Sequence, residues 1–145
     1  MEAIKEKQNE LQMDDIKLEA EIYHADDKVL KFDIGKVVVP KLDFQQYQLG
    51  LRNNVLIFPL FDNTKKDPYG SDAAIIRYLP GAFTPRHLHV GFEMVFVLEG
   101  EYVENDVLYT PGNLVIRAPG TTHEMRTING CTLLAMRDIP VKQLT

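Results

Sequence analysis

Residues 81–100 read GAFTPRHLHVGFEMVFVLEG. His87 and His89 stand two positions apart, Glu93 follows four residues later, and a glycine closes each end. Successive side chains of a β-strand point to opposite faces, so the two histidines share one face. Gly91 allows the chain to bend after them, and the bend can return the Glu93 carboxylate to the same point. Zinc, iron, manganese and nickel all accept imidazole and carboxylate ligands. A further histidine, His123, waits downstream in PGTTH. The remaining sequence reads as the scaffold that brings His123 to the other three.

Outward from this stretch the chain reads as short strands parted by turns. Upstream, VLIFPLF at 55–61 and Ala73–Leu79 are strands, separated by a polar loop that carries Pro68 and Gly70. Thr84–His89 is the first ligand strand. Glu93–Leu98 has the composition of a sheet core, and Glu99-Gly100 closes it as a hairpin turn. Glu101–Val103 and Val107–Tyr109 flank a turn at Asn105-Asp106. Leu114–Arg117 precedes the turn Ala118-Pro119-Gly120, and His123–Thr127 is the second ligand strand. Asn129-Gly130 is a hairpin signal before the last strand, Cys131–Arg137.

Nearer the N-terminus, Ile16, Leu18, Ala20 and Ile22 alternate with charged residues, the pattern of a half-buried strand. A turn follows at His24–Lys28, in which His24 is read as an ordinary surface or core residue. Val29–Ile34 returns as a strand, Val37–Val39 is a short strand that Pro40 ends or places at a sheet edge, and Leu42–Leu51 reads as either helix or coil, with irregular structure favoured. Residues 1–14 read as a flexible terminus. Turn signals at roughly eight- to twelve-residue intervals predict an all-β sandwich or barrel, not a βαβ fold. The expected organisation is one domain: the terminus, N-terminal strands over 15–50, and a barrel over 51–145.

Composition narrows the function classes. The chain has 145 residues, 45% of them apolar, enough for one domain with a sizeable core. Asp and Glu outnumber Lys and Arg by 21 to 16 and no basic cluster occurs, so no nucleic-acid partner is expected. The longest nearly apolar run, Val55–Phe61, is far short of the ~20 residues of a spanning helix, and MEAIKEKQNE has no apolar signal core. A cytoplasmic protein without membrane contact is expected. The single cysteine, Cys131, excludes an internal disulfide and reads as a buried hydrophobe.

The spacing of Gly81, His87, His89, Glu93 and Gly100 resembles the first motif of the cupin superfamily at every fixed position. Gly112, Gly120 and His123 resemble the second, with Ala118 in place of its first proline and Thr127 in place of its final asparagine. The likeness covers roughly residues 55–140. It implies a double-stranded β-helix, or jelly-roll barrel, here with additional N-terminal strands. It also implies that His87, His89, Glu93 and His123 converge on one divalent metal ion: iron, zinc, manganese or nickel.

A closer likeness is to the ChrR-type cupins, although Phe92 and Met94 replace the second glycine and second glutamate of their common HxHxGGEE motif. That resemblance implies one of two roles. One is a stand-alone dioxygenase acting on a ketone or diketone. The other is a non-catalytic metal-binding sensor related to anti-sigma factor C-terminal domains. The helical sigma-binding half of those regulators has no counterpart in residues 1–50, which carry one histidine and no cysteine. In the enzyme reading Phe83, Val95, Val97 and Met136 are expected to wall the pocket, and Arg117 and Arg77 to supply its polar contacts. Phe92, Met94 and Phe96 are read as pocket wall or ordinary packing alike. An open sheet edge in the N-terminal region predicts a homodimer.

Overall fold

The structure, a computed structural model, describes residues 28–47 and 54–143. The expected terminus at 1–14, the strand Ile16–Ile22, the turn around His24 and the end of the Leu42–Leu51 segment lie outside them. Twelve strands are described: β1 (Lys28–Lys31), β2 (Gln45–Gln46), β3 (Val55–Asp62), β4 (Asp72–Tyr78), β5 (Phe83–Leu88), β6 (Glu93–Gly100), β7 (Tyr102–Glu104), β8 (Val107–Tyr109), β9 (Asn113–Arg117), β10 (Thr122–Arg126), β11 (Cys131–Arg137) and β12 (Lys142–Gln143). No helix of the described residues is long and apolar enough to cross a membrane.

The strands form two antiparallel sheets, ordered β1-β9-β6-β11-β4-β3-β2 and β12-β5-β10-β7-β8. The larger sheet carries its residues in cross-strand rows. One inward row is charged along its whole length: Arg117 opposes Glu93, Glu93 opposes Arg137, Arg137 opposes Asp72, and Asp72 opposes Asp62. The next inward row is small and apolar: Val115, Val95, Ala135, Ala74 and Pro59. Below it Val97, Leu133, Ile76 and Ile57 close the core. Val97, Val115 and Leu133 are at most 2% exposed, each such burial contributing about 1.5–3 kcal/mol.

The outward face of the same sheet is also apolar. Leu30, Leu114, Phe96, Leu134, Ile75 and Phe58 form one unbroken row across six strands. The segment after β1 lies against it. Phe32 meets Phe96 edge-on at 6.3 Å between ring centroids, and Phe44 meets Phe58 at 6.4 Å.

The strand reading holds from Val55 to Arg137, and four details change. Val37–Val39 is not a strand, and Val38 is 76% exposed. Its β-branched composition finds no neighbouring strand to pair with, and strand propensity acts only in such a context. Glu99-Gly100 is not a hairpin turn, because β6 runs on to Gly100 and the chain then passes to β7 in the other sheet. Asn129-Gly130 likewise joins β10 to β11 across the two sheets. In the segment read as irregular, Gln45–Gln46 pairs with β3. Cys131 is buried as expected, and burial pushes its thiol up to about 12, a hydrogen bond with Thr127 offsetting only part of that shift.

Candidate metal centre

β5 and β10 are paired with His87 opposite His123. The register then shifts, so that Met125 opposes Thr84 and the extra residue at Pro85–Arg86 is accommodated as a bulge. His87 and Thr84 therefore both face inward although three positions separate them. His89 sits just past the end of β5, where its backbone N–H donates to the Thr121 carbonyl at 2.9 Å. All three histidines are buried, at 3%, 1% and 7% exposure for His87, His89 and His123. Their ring nitrogens gather within 4.8 Å of one another.

The far side of each ring fixes its orientation and its protonation. His87 Nδ1 lies 2.9 Å from the Pro85 carbonyl, which can only accept, so Nδ1 carries the proton. The Thr121 hydroxyl donates to the Ala118 carbonyl at 2.7 Å and so accepts from His89 Nδ1 at 2.9 Å. His123 Nδ1 donates to a Glu104 carboxylate oxygen. With every Nδ1 proton committed outward, the neutral rings turn Nε2 lone pairs toward one point. His87 Nε2 and His123 Nε2 are 2.7 Å apart, and two lone pairs at that distance require a proton or a cation between them. Two nitrogens each about 2.1 Å from one ion at a right angle would be about 3 Å apart, close to this spacing. Among the described buried side-chain nitrogen and oxygen atoms, only His89 Nε2 lacks a hydrogen-bond partner. A divalent ion fits this donor set, because it takes neutral imidazole nitrogens and satisfies the orphaned one.

Glu93, the first residue of β6, approaches from the other sheet. Its Oε1 is 3.5 Å from His89 Nε2, and it stands outside the group of three mutually close nitrogens. Burial pushes the Glu93 carboxyl up, but His89, Arg137 and His87 outweigh it and hold it down at about 2. The side chain is thus a carboxylate beside the histidines at neutral pH. Gly91 lies between His89 and Glu93, and the reason for it is space. A Cβ there would come within 1.8 Å of Asp138 Oδ1.

The centre opens on a cavity with about 90 Å³ of room for the centres of water-sized molecules, several times what one water needs. His87, His123 and Glu93 line its polar end, and Val95, Leu133, Ala135 and Met125 its apolar wall. The alanines of the second inward row, Ala74 and Ala135, leave the space. Two expected wall residues point elsewhere. Phe83 is 45% exposed because the bulge puts Thr84 inward instead, and Met136 is 40% exposed on the outward face. Val97 belongs to the closed core below. Phe92 and Met94 are likewise exposed, and Phe96 packs against Phe32.

Arg77 is not a cavity residue. It binds Glu99 at 3.1 Å and stands over the Phe44 ring at 4.4 Å. Arg117 does line the cavity, tied to Glu104 by an ion pair and donating to the Tyr109 hydroxyl at 3.2 Å. Glu104, 1% exposed, bridges His123 and Arg117 and was missed in the sequence. Its parity with the aromatic Tyr102, both inward on β7, was the available signal. Arg137 was missed as well. It also lines the cavity, at the level of Glu93, bound to Asp72.

The ChrR Cupin-like domain profile matches residues 45–139. No curated protein sequence matches the chain. Among solved structures, an acetylacetone dioxygenase from Acinetobacter johnsonii is 14% identical, with a TM-score of 0.63 over 80% of this chain and 83% of that one. A candidate acetylacetone dioxygenase from Methylibium petroleiphilum is 15% identical, with a TM-score of 0.64 over 80% and 85%. The anti-sigma factor ChrR of Rhodobacter sphaeroides, solved with SigE, is 19% identical, with a TM-score of 0.54 over 67% of this chain and 49% of that one. The chain spans only 49% to 59% of the length of several cupin structures it matches, ChrR included. At these identities the likeness carries the fold alone, an all-β cupin barrel. The profile covers well over half of the chain, with the three histidines inside it, and on that ground the chain belongs to the ChrR cupin-like family.

Proposed function

We propose that the protein is a metal-dependent small-molecule enzyme of dioxygenase type, acting in the cytoplasm on a compact ketone or diketone. One divalent ion, iron, zinc, manganese or nickel, is held by His87, His89, Glu93 and His123. The observation that carries the reading is the convergence of three outwardly anchored imidazoles on one point at the end of a cavity. A bound ion would supply Lewis acidity and, if iron, a redox centre. The protein's own residues do the rest. Pro85, Thr121 and Glu104 fix the ring orientations. Val95, Leu133, Ala135 and Met125 exclude water beside the ligand. Glu93 adds one negative charge next to His89. The acetylacetone dioxygenases of the same fold make β-diketones the first substrates to test.

Elemental analysis of anaerobically purified protein is expected to find one ion per chain. Oxygen uptake is then expected with a member of a panel of β-diketones and hydroxyaryl ketones. An ion that is four-coordinate, tetrahedral and closed to solvent would overturn catalysis and favour the sensor reading.

We also propose a homodimer formed through the N-terminal region. The edge position of β1 in the larger sheet supports it. Light scattering of the full chain at micromolar concentration is expected to give a dimer mass, and a monomer mass would overturn it.

A further inference from the structure

We infer that the ligand of this centre is anionic and carries a carboxylate that Arg137 receives while its carbonyl oxygens face the metal position. The inference rests on the metal-dependent reading above. Its starting point is the charged inward row of the larger sheet. Arg137 lies between Glu93 on one side and Asp72 on the other, and all three line the cavity. Its side chain is 14% exposed and that of Asp72 20%. Asp72 accepts from Arg137 Nε at 2.9 Å and from Nη2, which occupies one edge of the planar guanidinium.

Arginine has five N–H donors in a rigid fork, so three remain, two of them along the Nη1–Nη2 edge. None of the described residues accepts from Nη1. That edge matches a carboxylate bidentately. Asp72 thus both neutralises the cation in the resting protein and holds its plane fixed, a preorganised receptor that loses little freedom on binding.

The charge balance of the cavity points the same way. Glu104 is paired with Arg117, and Asp72 with Arg137. Asp62, at the rim, is bound to Thr64 and exposed, where solvent screens it. A divalent ion against the single remaining carboxylate of Glu93 leaves one net positive charge in a largely buried site. An anion neutralises that charge, whether an enolate at the metal position or a carboxylate at Arg137, and a neutral ketone does not; the free guanidinium edge is what favours the carboxylate. Glu93 and Arg137 are direct cross-strand neighbours, so a compact molecule spans from the metal position to the guanidinium.

The test uses the zinc-loaded full chain and two probes that share a chelating core: 2,4-pentanedione and 2,4-dioxopentanoate, which has a carboxylate in place of one methyl. Zinc content is measured first, and affinities follow by calorimetry. Wild type is expected to prefer 2,4-dioxopentanoate by on the order of ten- to a hundredfold. Arg137→Met is expected to keep its zinc and to lose the preference, whatever the change in its affinity for either probe alone. Arg137→Lys keeps the charge without the fork and is expected to retain part of it. If Arg137→Met fails to fold, Arg137→Lys decides. Equal affinities in wild type overturn the inference and leave the metal reading standing. So does an undiminished preference in either variant, which would place the carboxylate on the metal. Absence of stoichiometric zinc in wild type overturns both.

Discussion

His89→Ala is expected to give a protein that takes up no stoichiometric metal and whose melting temperature no longer rises when a divalent ion is added. Among the described residues, His89 supplies one of three mutually close ring nitrogens, and its Nε2 is the buried side-chain atom left without a hydrogen-bond partner. An ion that binds the folded state alone stabilises it by about 4 kcal/mol at a thousandfold excess over Kd. For a chain of this size that is a shift on the order of 10 °C. The metal-free comparison separates this effect from simple packing loss. Without metal, wild type buries an unsatisfied nitrogen at a cost of about 1–3 kcal/mol, which offsets part of the loss from removing the ring. The variant should therefore lie close to metal-free wild type and far below the metal-saturated one. Thermal unfolding with and without zinc or nickel, alongside elemental analysis, reads this directly. A metal-induced shift of equal size in both proteins would remove His89 from the centre.

Glu104→Leu should lower both stability and metal affinity, by separable routes. Glu104 is 1% exposed and holds Arg117 with one oxygen and His123 with the other. Removing it takes the carboxylate partner away from a buried guanidinium, which costs about 3–5 kcal/mol. It also removes the acceptor that fixes the His123 ring, and loss of such a partner typically lowers metal affinity about 10- to 100-fold. The double variant Glu104→Leu/Arg117→Met removes the stranded charge. It is expected to recover most of the stability and none of the affinity. Chemical denaturation measures the first and competition with a metal chelator the second. Affinity restored in the double variant would mean that Glu104 acts only by balancing Arg117.

The gathering of the three histidines was legible because its spacing is largely local. His87 and His89 sit on one strand end, and Glu93 opens the next strand within a few residues. His123 required only that β10 lie beside β5. What surrounds the centre was harder to read, because counting by twos fails at a bulge. From His87 the count carries Phe83 inward, whereas the extra residue at Pro85–Arg86 turns Thr84 in and Phe83 out. In CTLLAMR both faces carry large apolar residues, so nothing in composition says that Ala135 faces the cavity and Met136 does not. Arg137 shares the parity of Ala135, and only the placement of β11 between β6 and β4 gives it Glu93 and Asp72 as neighbours. The Asn129-Gly130 signal identified a turn and could not say which sheet the chain would enter next. Glu104 looked like an ordinary strand-end carboxylate until β7 was placed beside β10.

The charged inward row also bears on how the barrel comes to be assembled. Its members, from Asp62 to Arg137, belong to five strands drawn from more than half of the chain, so the row closes only after distant segments have met. Such topologies fold slowly and pass through many near-correct pairings. A one-residue slip of β11 would send Arg137 to the outward face, among Met94, Phe96 and Ile75 of the flanking strands, and would strand Glu93 and Asp72 inside without their counter-charge. The error is penalised on both faces of the sheet at once, and an apolar row in its place would penalise neither. The row therefore weighs against a slipped register, and Glu93 stands beside the three histidines only in the register that sets Arg137 between Glu93 and Asp72.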